Sequence, residues 1–333
     1  MADNKAARVG LDIGTDAVKI VAASSAADKT TLIALGMKDI RGVSRQELPE
    51  VIKQLAATAK ISQKDVNISI SGSSVIARFI TMPKMDKEAL KGAIRFEAEK
   101  FIPFDINDCM VDFQVMERDK AENKLNILLV AAKKEVVLEK IKIAEAAGFS
   151  VRLVDVDGFA LANSFFKNFP ALEPDKACAL LNIGATFTNL CILKGGSLYF
   201  SRDVALGTNE FSTSIAKKLN VDRKAADELS VSAGPKAAEV TDCMKTVFGN
   251  LLEEVKLSFN YYENQGGKNI DEVYISGGGG SLLSIAEVFA ESLGSKPSIW
   301  KPLEFMGKPA AGIDGELLAH ESFFAIAAGL ALR

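Results

Sequence analysis

Asp12, Gly14, Thr15 and Lys19 fall in the segment LDIGTDAVKIVAAS from Leu11, and Asn182, Gly184, Ala185, Thr186 and Thr188 fall in LNIGATFTNLCIL from Leu181. Each segment leads an apolar run into Asp or Asn, Ile, Gly and a small or hydroxyl residue. Each then returns at once to β-compatible residues: Val18, Ile20 and Val21 in the first, Leu190, Ile192 and Leu193 in the second. That pattern is a hairpin tip. A Walker-type loop would open a helix and end in Gly-Lys-Ser/Thr, which neither segment does. Glycine lets backbone approach an anion closely, and backbone amides and Thr hydroxyls can donate to phosphate oxygens. Two such tips facing each other would grip a polyphosphate from both sides. Asp12 offers a carboxylate to Mg²⁺, through water, because Mg²⁺ keeps part of its hydration shell. Lys19 either reaches the phosphates or projects into solvent. Asn182 takes the place of Asp12 in the second tip, where a neutral amide can hold a metal-bound water but adds no charge.

A third glycine element is SGGGG, Ser276 to Gly280, after the strand-like EVYIS and before SLLSIAEVFAESLG. The pattern predicts a helix opening immediately after the glycines. Gly277, Gly278, Gly279 and Gly280 would then lay bare backbone against a base or ribose, with the helix N-terminus favouring a phosphate. A tight strand-to-helix crossing also uses glycine.

The elements that must position these residues read as a duplicated α/β protein. Residues 8–24 and 31–40 read as strands, SRQELPEVIKQLAATAK as a helix capped by Ser44, and VNISISG as a returning strand. From about Ser74 the texture changes to a compact βαββα unit: VIARFITMP, DKEALKGAIRFEAEKFIPF, CMVDFQVME, KLNILLVAA and KKEVVLEKIKIAEAAGF. SVRLVDVDGF and ALANSFFKNF resume the first body, and FPALEPDKA crosses to the second. There the glycine hairpin restarts the pattern. Helix follows from Thr208 to about Asn264, broken near Asn220 and Gly234-Pro235. A stretch around Pro302 and Pro309 precedes a last apolar helix, ESFFAIAAGLALR. Two halves that each begin strand, glycine tip, strand imply duplicated domains with a ligand between them. The expected division is a first domain of 1–73, 149–177 and 315–333, an insert of 74–148, a second domain of 178–207 and 268–314, and a helical subdomain of 208–267.

Composition narrows the function classes. The chain has 333 residues, 40 basic and 43 acidic, so no cationic surplus points to nucleic acid or anionic lipid. MADNKAARVG lacks the apolar core of a secretory signal, and FFAIAAGLAL is about half the ~20 residues that span a bilayer. A cytoplasmic protein is expected, its last helix buried rather than lying on a membrane. Cys109, Cys178, Cys191 and Cys243 show no CxxC spacing and read as structural thiols, and the single histidine, His320, reads as an ordinary helix residue.

DIGT, NIGATFTN and ISGGGGS, in that order, resemble the phosphate loops and adenosine loop of the actin, sugar kinase and DnaK-type superfamily. More closely, the chain resembles the PilM family of type IV pilus assembly proteins, relatives of FtsA. The resemblance runs from LDIGTDAVKIV through MPKMDKEALKGAIRFEAEKFIPF, RLVDVDGFALANSF, SRDVALGTNEFSTSIAKKL and ISGGGGSLLSIAE to AAGLALR. It implies an actin-like ATPase fold with an FtsA/PilM-type insert, binding ATP and Mg²⁺. It also implies a cytoplasmic adaptor at the inner face of the inner membrane, held there through other pilus platform proteins. A groove beside the insert would take the N-terminal cytoplasmic peptide of a PilN-like membrane protein, with Ile94, Phe96, Phe101, Ile102 and Phe104 either lining it or facing the insert's core. Asn182 departs from the family's usual Asp, and Ser230 from a Lys commonly near the nucleotide, leaving Asp157 as the candidate to orient an attacking water. Holding nucleotide with weak or no hydrolysis is therefore expected. An active ATPase, a small-molecule kinase or an FtsA-like membrane-associated filament former are the alternatives, and homo-oligomerisation is left open.

Overall fold

The computed structural model describes residues 7–26, 29–116, 123–307, 310 and 312–333; Pro309 lies outside them. In chain order the elements begin with β1 (Arg8–Ile13), β2 (Ala17–Ala26), β3 (Lys29–Asp39), α1 (Leu48–Thr58) and β4 (Asp65–Ile70). The insert follows as β5 (Val75–Pro83), α2 (Lys87–Ala98), β6 (Cys109–Met116), β7 (Lys124–Lys133) and α3 (Lys134–Ala146). Then come β8 (Ser150–Val156), α4 (Asp157–Asn168), β9 (Ala177–Ile183), β10 (Thr188–Lys194) and β11 (Ser197–Val204). The chain continues through α5 (Thr208–Leu219), α6 (Arg223–Val231), α7 (Ala237–Asn264), β12 (Glu272–Ser276), α8 (Ile285–Leu293), β13 (Ser298–Ile299), α9 (Gly315–Ala319) and α10 (Ala325–Leu330).

Two five-stranded sheets repeat one topology. The first runs β3-β2-β1-β4-β8 and the second β11-β10-β9-β12-β13. In each, an antiparallel meander is extended on one side by two parallel strands. The central strands are nearly continuous apolar runs because both faces are covered, and every residue of β9 is buried. α1 places Leu48, Ile52, Leu55 and Ala56, spaced for one helical face, on the first sheet. The insert is a separate three-stranded sheet, β5-β7-β6, covered by Leu90, Ile94 and Ala98 of α2.

The bodies meet at α4. Its Leu161 and Phe165 pack with Cys178, Leu180 and Trp300 of the second body, while Ala160 packs with Ile326 and Leu330. All six residues of α10 are buried, which places this helix in the core. A Cβ on Gly329 would lie 1.8 Å from the Ala160 carbonyl oxygen, and one on Gly10 2.1 Å from that of Ala327. Only glycine permits this approach of helix to helix and helix to strand.

Several boundaries differ from expectation. α2 stops at Ala98 rather than near Phe104, because Pro103 disfavours helical backbone just before it. α4 opens at Asp157, so the Asp157-Gly158 pair forms its first turn and not a strand end. The last helix is divided into a 3-10 turn, Glu321–Phe324, and α10. His320 falls just past α9, edge-on to Phe323. The helical region breaks where glycine-like backbone is needed: Asn220 ends α5 at φ 49°, and Gly234 precedes α7 at φ 50°. Ser44 does not cap α1, whose N-cap position is Glu47 with no side-chain cap bond; it closes the turn before the helix, its hydroxyl donating to the Glu47 carboxylate at 2.7 Å and accepting from the Glu47 amide.

Candidate functional site

Both glycine segments are hairpin tips at the same end of corresponding strand pairs. The Gly14 amide donates to the Ala17 carbonyl at 3.1 Å, and the Gly184 amide to the Phe187 carbonyl at 2.9 Å. A Cβ on Gly14 would lie 2.8 Å from the Ala17 carbonyl, so the tight turn itself demands glycine. The tips face each other across one cleft with a cavity of about 160 Å³. Asp12, Gly14, Thr15, Lys19, Asp157, Asn182, Gly184, Ala185, Thr186, Gly277 and Gly278 all line it.

The two tips carry equivalent cross-strand pairs. Asp12 lies opposite Lys19, and Asn182 opposite Asn189. The Lys19 ammonium donates to Asp12 Oδ2 at 2.9 Å, with the side chains only 15% and 8% exposed. Lys19 therefore points into the cleft, and the solvent reading of this residue is set aside. In the second tip, Asn182 Nδ2 donates to Asn189 Oδ1 at 2.9 Å while Asn182 Oδ1 accepts from the Ser276 hydroxyl at 3.2 Å. Its amide oxygen is thus already engaged.

Asp157 enters from the start of α4. Burial, and then the charge of Asp12, push its carboxyl above the usual range; Lys140 and the hydroxyls of Ser69 and Ser71 work the other way. Lys140 also donates to the Ile13 carbonyl, just before the first tip.

Three residues chosen from sequence lie outside the cleft. Thr188 is fully buried and its hydroxyl donates to the Leu206 carbonyl at 2.7 Å, because its place in β10 turns it into the second body's core. Gly279 is packed against Ile183, which a Cβ would meet at 2.4 Å, and Gly280 faces Ile299 and Ser322. The glycine run forms a 3-10 turn, Gly278–Ser281, and α8 begins only at Ile285. Its N-terminus is not supplied directly by the glycines. Gly277, at φ 77°, is the position where a left-handed turn and a carbonyl 2.5 Å from any Cβ require glycine.

The groove residues divide as well. Ile94 and Ile102 are buried in the insert's core and Phe104 packs against it, with Lys133 over its ring. Phe96 and Phe101 are exposed, Phe96 at 67%. The cavity beside the insert, about 510 Å³, is lined instead by β5 from Ala77 to Thr81 and by Tyr199, Phe200, Tyr261 and Tyr262. Ser230 is buried away from the cleft, its hydroxyl donating to the Asp227 carbonyl.

Sequence reasoning missed Asp16, Ser71, Phe187, Asn189, Thr208, Phe323 and Ile326, which also line the cleft. Asn189 had a visible signal, as one polar residue inside an apolar strand. Thr208 had none, since it reaches the site by packing the start of α5 on the second tip: its amide donates to the Gly184 carbonyl at 2.8 Å and the Asn209 amide to that of Ala185 at 3.0 Å.

Twin sheets of identical order, opposed glycine tips and a third glycine turn at their junction define the actin-like ATPase class of folds. MreB5 of Spiroplasma citri bound to AMPPNP shares that fold at a TM-score of 0.56 and 12% identity, covering 99% of this chain and 96% of its own. The chain belongs to the family of the type IV pilus assembly protein PilM, whose model matches residues 10–333. A solved PilM-PilN type IV pilus biogenesis complex contains a chain 28% identical, with a TM-score of 0.88 over 99% of this chain and 98% of that one. The cell division protein FtsA of Borreliella burgdorferi is 22% identical over 257 residues, which are 68% of this chain and 62% of FtsA. This chain thus spans less than two thirds of that relative's length. No helix among the described residues is long and apolar enough to cross a membrane.

Proposed function

We propose that this chain is an adaptor in type IV pilus assembly that holds Mg-ATP between its tips and captures the N-terminal segment of a PilN-type membrane protein. The observation that carries the nucleotide half is the convergence of Gly14, Thr15, Gly184, Ala185, Thr186, Gly277 and Gly278 on one cleft with Lys19 among them. The residues fit the group: small side chains and turn amides from both bodies line the cavity, together with Asp12, Thr15, Lys19 and Thr186. Lys19 and the tip amides would hold phosphates, Asp12 would hold Mg²⁺ through water, and Gly277 and Gly278 would lie along the nucleoside. Bound Mg-ATP would supply a polyanion that draws the two tips together.

Slow or absent turnover follows from how the carboxylates are used. Asp12 is committed to Lys19 and Asn182 supplies no charge, so the second tip offers no carboxylate to share the work of activating a water with Asp157. The cleft is also smaller than the ~300 Å³ at which ligand pockets begin, so nucleotide entry requires the bodies to part. Arg41 on Asp227, and Arg223 within 4.0 Å of Asp16, span the cleft mouth and would have to yield.

The partner half rests on family membership and on the likeness to a chain from a PilM-PilN complex. The peptide would lie in the groove beside β5, with Phe96 and Phe101 available on the insert's outer side, and would place this chain at the inner face of the membrane. Titration of purified protein with a synthetic PilN-type N-terminal peptide, with and without Mg-ATP, tests the reading. Micromolar or tighter capture is expected in at least one state; no capture in either state removes the adaptor role.

A further inference from the structure

The inserted sheet joins the first body at two places, and both are tied to the tips. On the exit side, Lys140 of α3 holds the Ile13 carbonyl. On the entry side, Gly72 follows β4 and leads into β5, at φ 93°. Its amide donates to Asp203 Oδ2 on β11 at 2.6 Å, across the junction of the two bodies. A Cβ there would meet the ring of Phe187, a residue of the second tip, at 3.1 Å.

Asp203 is the end of a directed chain of side chains. Ser276 donates to Asn182, Asn182 to Asn189 at 2.9 Å, and Asn189 Nδ2 to Asp203 Oδ1 at 2.8 Å. Asn182 and Asn189 line the cleft, whereas Asp203 and Gly72 line a different groove under β5. We propose that Asp203 is a positioning residue that relays the state of the cleft, through Asn189, to the Gly72 amide and so to the stance of the inserted sheet. This rests on the reading of the cleft as a nucleotide site, but the wiring itself does not depend on it.

The chemistry makes the link breakable in one step. Both carboxylate oxygens accept an N–H, so the ionised form satisfies both donors. A proton on either oxygen, or an amide in place of the carboxylate, sets hydrogen against hydrogen and releases one of the two bonds. Burial pushes Asp203 up to about 6, the nearby Asp157 of α4 adds to this, and the bonds from Asn189 and Gly72 oppose it. Arg78 of β5 and Arg202 of β11 line the same groove, and Lys140 of α3 faces Asp157. The link is therefore whole at pH 8 and opens as pH falls through about 6.

Amide hydrogen exchange across residues 70–80 reads the link directly. After correction for intrinsic rates, wild-type protection should fall about tenfold between pH 8 and pH 5 without any nucleotide, whereas Asp203→Asn should be flat and low throughout. Asn189→Ser, which breaks the middle link and keeps the carboxylate, should lower protection at pH 8 and serves if Asp203→Asn fails to fold. Adding a non-hydrolysable ATP analogue with Mg²⁺ should raise protection about tenfold in the wild type and less than about twofold in either variant. A flat wild-type profile, or an unchanged pH step in Asp203→Asn, overturns the relay. If the analogue does not bind wild-type protein, the nucleotide reading fails, and the ligand-free pH profile still decides the wiring.

Discussion

The two tips are the same backbone object with different electrostatics. Each closes with a glycine amide on a carbonyl three residues ahead, and each carries a bonded cross-strand pair of 2.9 Å at the same position. In the first tip the pair is charged and self-contained: Lys19 and Asp12 neutralise each other. In the second it is a pair of amides, each with a donor and an acceptor, so its polarity passes onward to Asp203. Duplication thus produced one tip that stores a charge pair and one that transmits hydrogen bonding.

Breaking the charged tip should have the largest effect. Lys19→Ala leaves Asp12 nearly buried and unpaired, and loss of one partner of a buried pair costs about 3–5 kcal/mol. Urea unfolding should show that loss, and nucleotide affinity should fall at least about tenfold as one phosphate donor is removed. A change under about 1 kcal/mol would mean the pair is better hydrated than its exposure indicates.

Making the second tip resemble the first should have an intermediate effect. Asn182→Asp places a carboxylate that still accepts from Ser276 but sets oxygen against Asn189 Oδ1, in the cleft that Asp12 and Asp157 also line. Stability at pH 7 should fall by about 1–3 kcal/mol, the cost of an imperfectly satisfied buried group. Its carboxyl would sit above the unfolded value, so the deficit should shrink as pH drops toward that of an ordinary carboxylate. Phosphate release assays should show faster turnover than wild type; an unchanged rate would mean that the missing carboxylate is not what limits hydrolysis. The smallest effect is expected just outside the tips. Thr188→Val leaves the Leu206 carbonyl without its donor, costing about 1 kcal/mol, and should leave nucleotide affinity within about twofold by calorimetry because the hydroxyl is not in the cleft.

The hairpin tips were legible because alternation and glycine act locally, within a dozen residues. Parity in a strand is local too, yet which parity faces the ligand is decided by the opposite body, so Thr188 was chosen for the cleft and its neighbour Asn189, which lines it, was not. The glycine run shows a related limit. Gly277 serves a left-handed turn and Gly279 close packing on Ile183, two uses that look identical in sequence. On α2, the spacing of Leu90, Ile94 and Ala98 does mark one buried face, and Phe96 falls off it. Asp203 was illegible: a lone acid at the end of a strand gains its role only when Gly72, 131 positions earlier, is folded against it.

The glycine contacts of α10 set an order on synthesis. The second sheet has all its strands once residue 299 has been made, whereas the face of β1 at Gly10 stays uncovered until Ala327 and its neighbours arrive. Asn67 of β4 likewise waits for the Leu330 carbonyl, which its side chain bonds at 2.9 Å. Of the two bodies, the one whose strands come earlier in the chain is therefore completed later, with the face of β1 at Gly10 open while the other is made.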